Sequence, residues 1–276
     1  QDQARQQDVK FISASEPQYT FSSPECRHST LYMEKRAVEG EPTVFSETFE
    51  FTANGEWHNL KPEDVQPYDT TTALYKEYTA EREKHIVFSP RLRELAAKLT
   101  AGETNPYLKA KRIFRWVNDN FPWASAREYS TIENIPEYVL DNRHGDCGQV
   151  SLLFITLCRI SGIPAHFQSG FMMHPRAWNL HDWAEVYFEG VGWVPVDQSF
   201  GIPAFARNAD EEYFFLGGID SWRMIVNTDY GMPLQPEKQY PRSETVDFQR
   251  GEVEWEGGNL YFPQWDYHMD IDYLNY

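Results

Sequence analysis

The sequence predicts an α+β protein, in which a helical region precedes an antiparallel sheet. Two observations support this class. Apolar side chains recur at helical spacing between residues 89 and 160, and residues 165–197 return to the β-forming stretches that are typical of strands. Helices that come before a run of strands, rather than alternating with them, favour an α+β arrangement. A small β-rich segment precedes both regions.

The first 80 residues contain short β-forming stretches, at residues 11–15, 44–53 and 56–60. Glu-Pro, Pro-Glu and Asn-Gly steps punctuate this region, and such steps are typical of turns. With 276 residues the chain is long for one domain and short for three. We therefore predict a β-rich N-terminal segment or partial domain over residues 1–84 and the main domain over residues 85–276.

Two helices are predicted over residues 89–102 and 105–120. A residue that can cap a helix, followed by proline, opens each of them, with Ser-Pro in the first and Asn-Pro in the second. A third helix is predicted from Cys147, because apolar residues then recur at helical spacing until a Gly-Ile-Pro step ends the pattern.

The strands of the main domain are predicted at residues 165–173, 181–189 and 192–197. The last two form a hairpin, because an EGVG turn joins them. Residues 265–276 alternate apolar with acidic side chains, which predicts a further strand at the end of the chain.

Charge and composition exclude several functional classes. The net charge of -17 argues against a nucleic-acid partner, because neutralising phosphates requires a basic patch. No apolar run reaches the ~18 to 20 residues that a membrane span needs. Three cysteines without a CxxC pair are too few for a disulfide scaffold or a ribbon-type zinc site. His166, His174, His181 and Asp182 match no compact metal site, so we expect neither metal nor cofactor.

The sequence starts at Gln1 rather than methionine, and a removed signal peptide is one possible cause. We therefore expect an exported protein, either periplasmic, cell-surface or secreted. A cytoplasmic location is the alternative.

Cys147 is the strongest candidate for a reactive side chain. Gly145 and Gly148 flank it, and Asp146 can cap the helix that it begins. A thiol at this position lies at the positive end of the helix dipole, which favours the nucleophilic thiolate. Backbone N–H groups at the helix start can also stabilise an oxyanion. Cys158, in contrast, lies in mid-helix among apolar neighbours and is interpreted as a core residue.

His181 and Asp197 lie on the two strands of the predicted hairpin. The even-numbered positions of both strands are small or apolar and predict a buried face, so the two odd-numbered residues share the opposite face. A three- or five-residue loop, or a bulge, would set them opposite each other. A two-residue turn would instead place them on different faces, and His181 would then be a surface histidine.

These three residue types together support acyl transfer through a thioester. A thiolate attacks an acyl carbon, an imidazole takes and returns the proton, and a carboxylate orients the imidazole.

Two stretches, GDCGQVSLLFITLCRISGIPAHFQSGF and HDWAEVYFEGVGWVPVDQS, resemble the core of the transglutaminase-like superfamily. The shared features are a cysteine at a helix start, a Gly-Ile-Pro step, a His-x-Trp-x-Glu strand and a Val-Pro-x-Asp strand end. Together they cover residues 105–200. The resemblance implies a papain-like fold and catalytic roles for Cys147, His181 and Asp197. Members commonly use a further oxyanion group upstream of the cysteine. Its position in this sequence is left open, and Tyr138 and Gln149 are polar candidates near the cysteine.

Trp183 can line the site, although a tryptophan in a strand is more often a core residue. Tyr138 and Gln149 can equally be packing or capping residues. The oligomeric state is not predicted.

Three functions are consistent with these observations. The first is hydrolysis of amide bonds in a peptide, protein or glycopeptide by a cysteine peptidase or amidase. The second is transfer to an amine by a protein-glutamine gamma-glutamyltransferase. The third is a non-catalytic module that binds peptide or saccharide on the same fold, against which the presence of all three site residues argues.

Overall fold

The computed structural model describes residues 5–125 and 127–274. Contacts within the chain divide it into two compact units. The first unit comprises Gln1–Asn54, Gly170–Leu180 and Ser221–Tyr276, and the second unit comprises Gly55–Ser169 and His181–Asp220. These units have other bounds than the two predicted domains, so the division after residue 84 stays a prediction.

The described strands, in chain order, are β1 (Gln6–Ala14), β2 (Tyr19–Phe21), β3 (Leu31–Met33), β4 (Glu47–Ala53), β5 (Glu56–Trp57), β6 (Ala165–His174), β7 (Ala177–Phe188), β8 (Gly192–Val196), β9 (Gly218–Ile219), β10 (Arg223–Thr228), β11 (Val253–Trp255) and β12 (Gly258–Leu260). The described α-helices are α1 (Ala73–Tyr78), α2 (Pro90–Leu99), α3 (Pro106–Asn120), α4 (Ile135–Asn142), α5 (Cys147–Ile160) and α6 (Ala209–Glu212).

The helices of the second unit begin where the capping residues predict. The Ser89 hydroxyl accepts a hydrogen bond from the Leu92 N–H at 3.2 Å, and the Asn105 side chain accepts one from the Leu108 N–H at 3.2 Å. Each satisfies a backbone donor that the first helical turn cannot use. The predicted starts of α2 and α3 are therefore confirmed, and α3 also ends at Asn120 as predicted.

Helix α5 is the central element of the second unit. Its residues from Gly148 to Arg159 are all buried, and it contacts α2, α3 and α4. A helix whose residues are mainly apolar around its whole circumference is stable when it is enclosed in this way. The turn after α5 leads into β6, and the ring of Tyr107 on α3 packs edge-on against that of Phe188 on β7.

The main sheet has the strand order β10-β6-β7-β8, and β7 and β8 are antiparallel. The apolar even-numbered residues of these two strands are fully buried, as the alternation predicts: Ala184, Val186, Phe188, Val194 and Val196. Helices packed on an antiparallel sheet, together with a β-rich N-terminal segment, confirm the predicted α+β class.

The first unit consists mainly of short strand pairs. Strand β1 pairs with β4, β2 with β3 and β11 with β12. At Gly170 a Cβ atom would lie 1.7 Å from the backbone oxygen of Met224, so only glycine allows this approach of two strands. The predicted terminal strand is wrong over residues 265–274, which do not form a strand; its last two residues lie outside the described part. Alternation alone cannot form a strand without a partner.

Within the described residues, every helix is too short or too polar to cross a membrane.

Candidate active site

A capping box positions Cys147 at the first residue of α5. The Asp146 carboxylate accepts a hydrogen bond from the Gln149 N–H at 2.9 Å. The Gln149 side-chain oxygen accepts one in return from the Asp146 N–H at 3.3 Å. Because both partners are buried, this reciprocal pair fixes where the helix starts and hence where the thiol lies.

The hairpin of β7 and β8 has the odd loop that the site requires. Phe188 pairs with Gly192, which leaves a three-residue loop. When this register is continued, Asp197 lies opposite Trp183 rather than opposite His181. His181 and Asp197 are therefore diagonal neighbours on one face, at a separation that long side chains can bridge. The predicted odd loop is confirmed, whereas the directly opposed arrangement is wrong.

The imidazole of His181 contacts the carboxylate of Asp197, with 2.7 Å between Nε2 and Oδ2. Both residues are buried, Asp197 completely. The strand that holds His181 begins at Ala177, so His181 lies inside the strand and not at its start as predicted.

Asp197 is fixed by the turn that follows β8. Its Oδ1 accepts hydrogen bonds from the backbone N–H groups of Ser199 and Phe200, each at 3.1 Å. These donors leave Oδ2 for the imidazole. The two oxygens of this carboxylate therefore have different partners.

Two aromatic rings flank the imidazole of His181. The ring centroid of Trp183 lies 5.9 Å away, and that of Phe200 lies 5.4 Å away in an edge-on arrangement. Trp183 is fully buried, and its indole N–H donates to the Gln168 side-chain oxygen at 2.7 Å. These contacts hold the position and the plane of the imidazole.

The thiol of Cys147 contacts a residue that the sequence did not single out for catalysis. Its Sγ donates to Oδ2 of Asp182 at 3.2 Å, and the cysteine itself is only half-buried. Burial raises the pKa of the Cys147 thiol well above its usual value, and the charges of Asp182 and Asp146 raise it further. The predicted preference for the thiolate is therefore wrong for this arrangement, because burial of the thiol and, after it, the charges of Asp182 and Asp146 favour the neutral form.

Asp182 was considered from the sequence only as a metal ligand. A signal was nevertheless present, since Asp182 is an even-numbered residue that extends the buried stripe of β7. A carboxylate on a face that is otherwise apolar requires a polar partner. Among the described residues, no three histidine, cysteine or acidic side chains are grouped as a metal site would require.

Gly148 provides the space in which these groups meet. A Cβ atom at this position would lie 2.4 Å from the Tyr129 hydroxyl oxygen and 2.8 Å from Oδ2 of Asp182. The Tyr129 hydroxyl donates to Oδ1 of Asp146 at 2.6 Å. Burial raises the pKa of Asp146 to about 6, although the hydrogen bonds from Tyr129 and the backbone oppose this shift.

The remaining predicted residues have these placements. Gln149 uses its side-chain oxygen in the capping box, and its amide nitrogen donates to the backbone oxygen of Arg127 at 3.4 Å. Tyr138 lies half-buried in α4. Roles of Tyr138, Gln149 and Trp183 toward an oxyanion or a substrate stay predictions.

A groove of about 500 Å³ lies near the His181–Asp197 pair in the same unit. It is lined by Trp57, Pro203, Phe205, Asn208, Asp210, Glu211, Phe214 and Phe215. The ring of Phe215 packs against that of Phe200 at 5.0 Å, and Phe200 in turn contacts His181. An unbroken series of ring contacts thus connects the groove to the imidazole.

A central helix that begins with a cysteine, beside an antiparallel sheet that carries a histidine and an aspartate, defines a papain-like α+β fold. Residues 93–198 match the family model of the transglutaminase-like superfamily. The predicted resemblance to that superfamily is confirmed over this part of the chain, and it supports thiol-dependent acyl transfer as the general class of chemistry.

Individual relatives are distant. An uncharacterised protein of Bacillus subtilis is 27% identical over 140 residues, which are 44% of this chain and 19% of the relative. A protein-glutamine gamma-glutamyltransferase of Pseudomonas aeruginosa is 23% identical over 125 residues, which are 41% of this chain and 19% of that protein. The chain thus spans about a fifth of the length of these two curated relatives.

A solved structure from Cytophaga hutchinsonii, described as a candidate cysteine protease, has a TM-score of 0.55 and 18% identity. The match covers 82% of this chain and 72% of that one. At this identity the likeness concerns the fold.

Proposed function

We propose that this protein hydrolyses amide bonds in peptides, proteins or glycopeptides through a thioester on Cys147. The observation that carries the proposal is the 2.7 Å contact between His181 and Asp197, in the same compact unit as a cysteine at the start of a buried helix. A buried imidazole with a carboxylate on one nitrogen is the arrangement that general base catalysis needs.

In the proposed reaction, Sγ of Cys147 attacks the amide carbon and its proton passes to Nδ1 of His181, because Nε2 is engaged by Asp197. The C–N bond then breaks, and the leaving amine takes the proton from His181. Water attacks the thioester carbon and loses a proton to the same nitrogen, and the C–S bond then breaks to release the acid. Sγ takes that proton back from His181, so atoms and charges balance.

Transfer of the acyl group to an amine is the second candidate, and the Pseudomonas aeruginosa relative favours it. The two reactions share the thioester and differ in the acceptor. Hydrolysis requires water to reach the thioester, whereas cross-linking requires a lysine-like amine at that point.

The decisive experiment offers the protein a peptide pool together with a labelled primary amine. We expect cleaved amides in the pool, detected by mass spectrometry, and no product with the Cys147→Ala variant. Labelled glutamine side chains in place of cleaved amides would instead identify the transferase. If neither product forms and the wild type behaves like Cys147→Ala, the catalytic proposal is wrong. The non-catalytic binding module is then the remaining hypothesis.

We further propose that the groove binds an apolar side chain of the substrate. Its two carboxylates are balanced by cations, since Asp210 contacts Lys61 and Glu211 contacts Arg207. A neutral, aromatic groove suits an uncharged side chain better than a charged one.

The variant Phe205→Ala tests this assignment, because Phe205 is 78% exposed at the groove. We expect KM to rise by up to about tenfold with kcat nearly unchanged, since one aromatic contact contributes about 0.5–1.5 kcal/mol. Trp255→Ala is the matched control, because Trp255 is similarly exposed at 61% but does not line the groove. Equal kinetic constants for the two variants would exclude the groove as a binding site.

The predicted export also stays a prediction, which fractionation of the producing cells can check.

A further inference from the structure

We propose that Asp182 is a fourth catalytic residue, which holds Cys147 as a thiol in the resting enzyme and thereby sets the pH at which the thiolate forms. This inference rests on the proposed function in one respect, namely that Cys147 is the nucleophile. It assigns a role to a residue that lies outside the Cys–His–Asp set.

The first step of the inference is geometric. Oδ2 of Asp182 lies 3.2 Å from Sγ of Cys147, so the carboxylate contacts the reacting atom itself. Asp182 is 2% exposed, and water therefore screens the interaction poorly. A carboxylate that accepts the S–H bond stabilises the thiol, and its charge repels a thiolate.

The second step concerns how Asp182 is held. Its two neighbours in β7 are anchored, His181 to Asp197 and Trp183 to Gln168. The backbone between these anchors cannot shift without breaking one of the two hydrogen bonds. In addition, a side chain at residue 148 would collide with the carboxylate, so the glycine there keeps its place open. The contact is therefore built into the site.

The third step concerns the other titratable groups around the thiol. Strand β7 supplies Asp182 and, in the proposed mechanism, His181. The helix start supplies Asp146, and the segment before α4 supplies Tyr129, whose hydroxyl bonds to Asp146. Of the two acids, Asp182 raises the thiol pKa more than Asp146 does, while the backbone N–H of Asp182 acts in the opposite direction. Of these two acids, Asp182 is thus the one whose removal should lower the pKa of the Cys147 thiol more.

The functional consequence is a nucleophile that is stored in its less reactive form. Thiols are oxidised and alkylated mainly as thiolates, so this arrangement protects Cys147 between turnovers. The thiolate then forms when its proton passes to His181 during attack, which requires no reactant other than the substrate.

The test measures alkylation of Cys147 by iodoacetamide as a function of pH, without any substrate. Cys147 and Cys158 lie on the same tryptic peptide, residues 144–159, so fragment ions of that peptide assign the label to one of them, and Cys26 lies on another peptide. In the wild type we expect the alkylation rate to rise with pH and to show its inflection above about pH 8.5, which is the pKa of a free cysteine. An inflection below that value would overturn the inference.

For Asp182→Asn we expect the inflection at lower pH. At neutral pH the alkylation rate then rises about threefold for each unit of the shift, because the tenfold gain in thiolate is partly offset by its lower nucleophilicity. Asp270→Asn, whose side chain is 92% exposed, is the control and should match the wild type. A profile for Asp182→Asn that superimposes on the wild type would also overturn the inference.

This measurement separates the inference from the proposed function. If Asp182→Asn shifts the alkylation profile but the wild type does not cleave amides, Asp182 sets the pKa of the Cys147 thiol and the hydrolase proposal is wrong. If the wild type cleaves amides but Asp182→Asn does not shift the profile, the hydrolase proposal stands and the inference about Asp182 is wrong. If the Asp182→Asn chain does not fold, the same profile is measured on Asp182→Ser, which also removes the charge, and a profile that superimposes on the wild type again overturns the inference.

Discussion

The variant Asp197→Asn should lose about 10³- to 10⁴-fold in kcat while KM changes little. The reason lies in the two partners of the carboxylate. Oδ1 accepts two backbone N–H groups, from Ser199 and Phe200, and only an oxygen can take that place. An asparagine must therefore turn its NH₂ group toward His181. Nε2 of the imidazole then has to accept a hydrogen bond, so its proton moves to Nδ1.

With its proton on Nδ1, the imidazole can no longer take the proton of Cys147. The variant loses kcat because the imidazole holds the wrong tautomer, while the positions of the side chains stay the same. Substrate binding should therefore persist. The opposite orientation of the amide would direct its NH₂ group against two backbone N–H donors and leave all of them unsatisfied inside the protein. The side chain thus has a single acceptable orientation.

Turnover of a peptide identified from the pool measures the effect, and Asp270→Asn, whose side chain is 92% exposed, is a control for the loss of one carboxylate. A second readout is independent of substrate. Nitrogen-15 spectra of the histidine rings should show Nε2–H for His181 in the wild type and Nδ1–H in the variant. An activity within tenfold of the wild type, together with an unchanged tautomer, would contradict the orienting role of Asp197.

Most of the site could be predicted because its parts leave local patterns in the sequence. Capping residues followed by proline marked α2 and α3, and the glycine-flanked cysteine marked the start of α5. The alternation in β7 and β8 placed His181 and Asp197 on one face before their contact was known. Each of these features depends on a few consecutive residues, so a local pattern in the sequence can show it.

The features that were not predicted depend on contacts between distant segments. The diagonal placement of His181 and Asp197 follows from the loop conformation and not from residue parity. Asp182 contacts Cys147 because β7 passes the start of α5, and a residue count cannot show this. The predicted direction of the thiol pKa shift was wrong for the same reason. The helix dipole and the adjacent Asp146 can be inferred locally, whereas the burial of the thiol and the charge of Asp182 follow from the fold.

Asp146 leads to a prediction about stability, because its pKa is raised from 3.8 to about 6 in the folded protein. Between these values the folded state holds a proton that the unfolded state has released. The stability that this proton provides is fully present below about pH 3.8 and is lost as the pH rises to about 6. A shift of this size corresponds to about 3 kcal/mol of unfolding free energy.

Asp146→Asn should remove this dependence while keeping the cap. Asparagine caps helices as well as aspartate does, and its oxygen can still accept from Tyr129 and from the Gln149 N–H. We therefore expect the unfolding free energy of the wild type to fall by about 3 kcal/mol relative to the variant between pH 3.5 and pH 7.5.

Denaturant unfolding of both proteins at the two pH values measures this difference, in which all other titrating groups cancel. Asp146→Ala is the informative companion, because it removes the charge and also the acceptor. That variant should be less stable than Asp146→Asn at every pH, since the Tyr129 hydroxyl and a helix N–H lose their partner. A difference between wild type and Asp146→Asn that does not vary with pH would show that Asp146 titrates at its ordinary value. The Asp146 carboxylate would then already be charged in mildly acidic solution. In that case Asp146 and Asp182 would both disfavour the thiolate of Cys147 there.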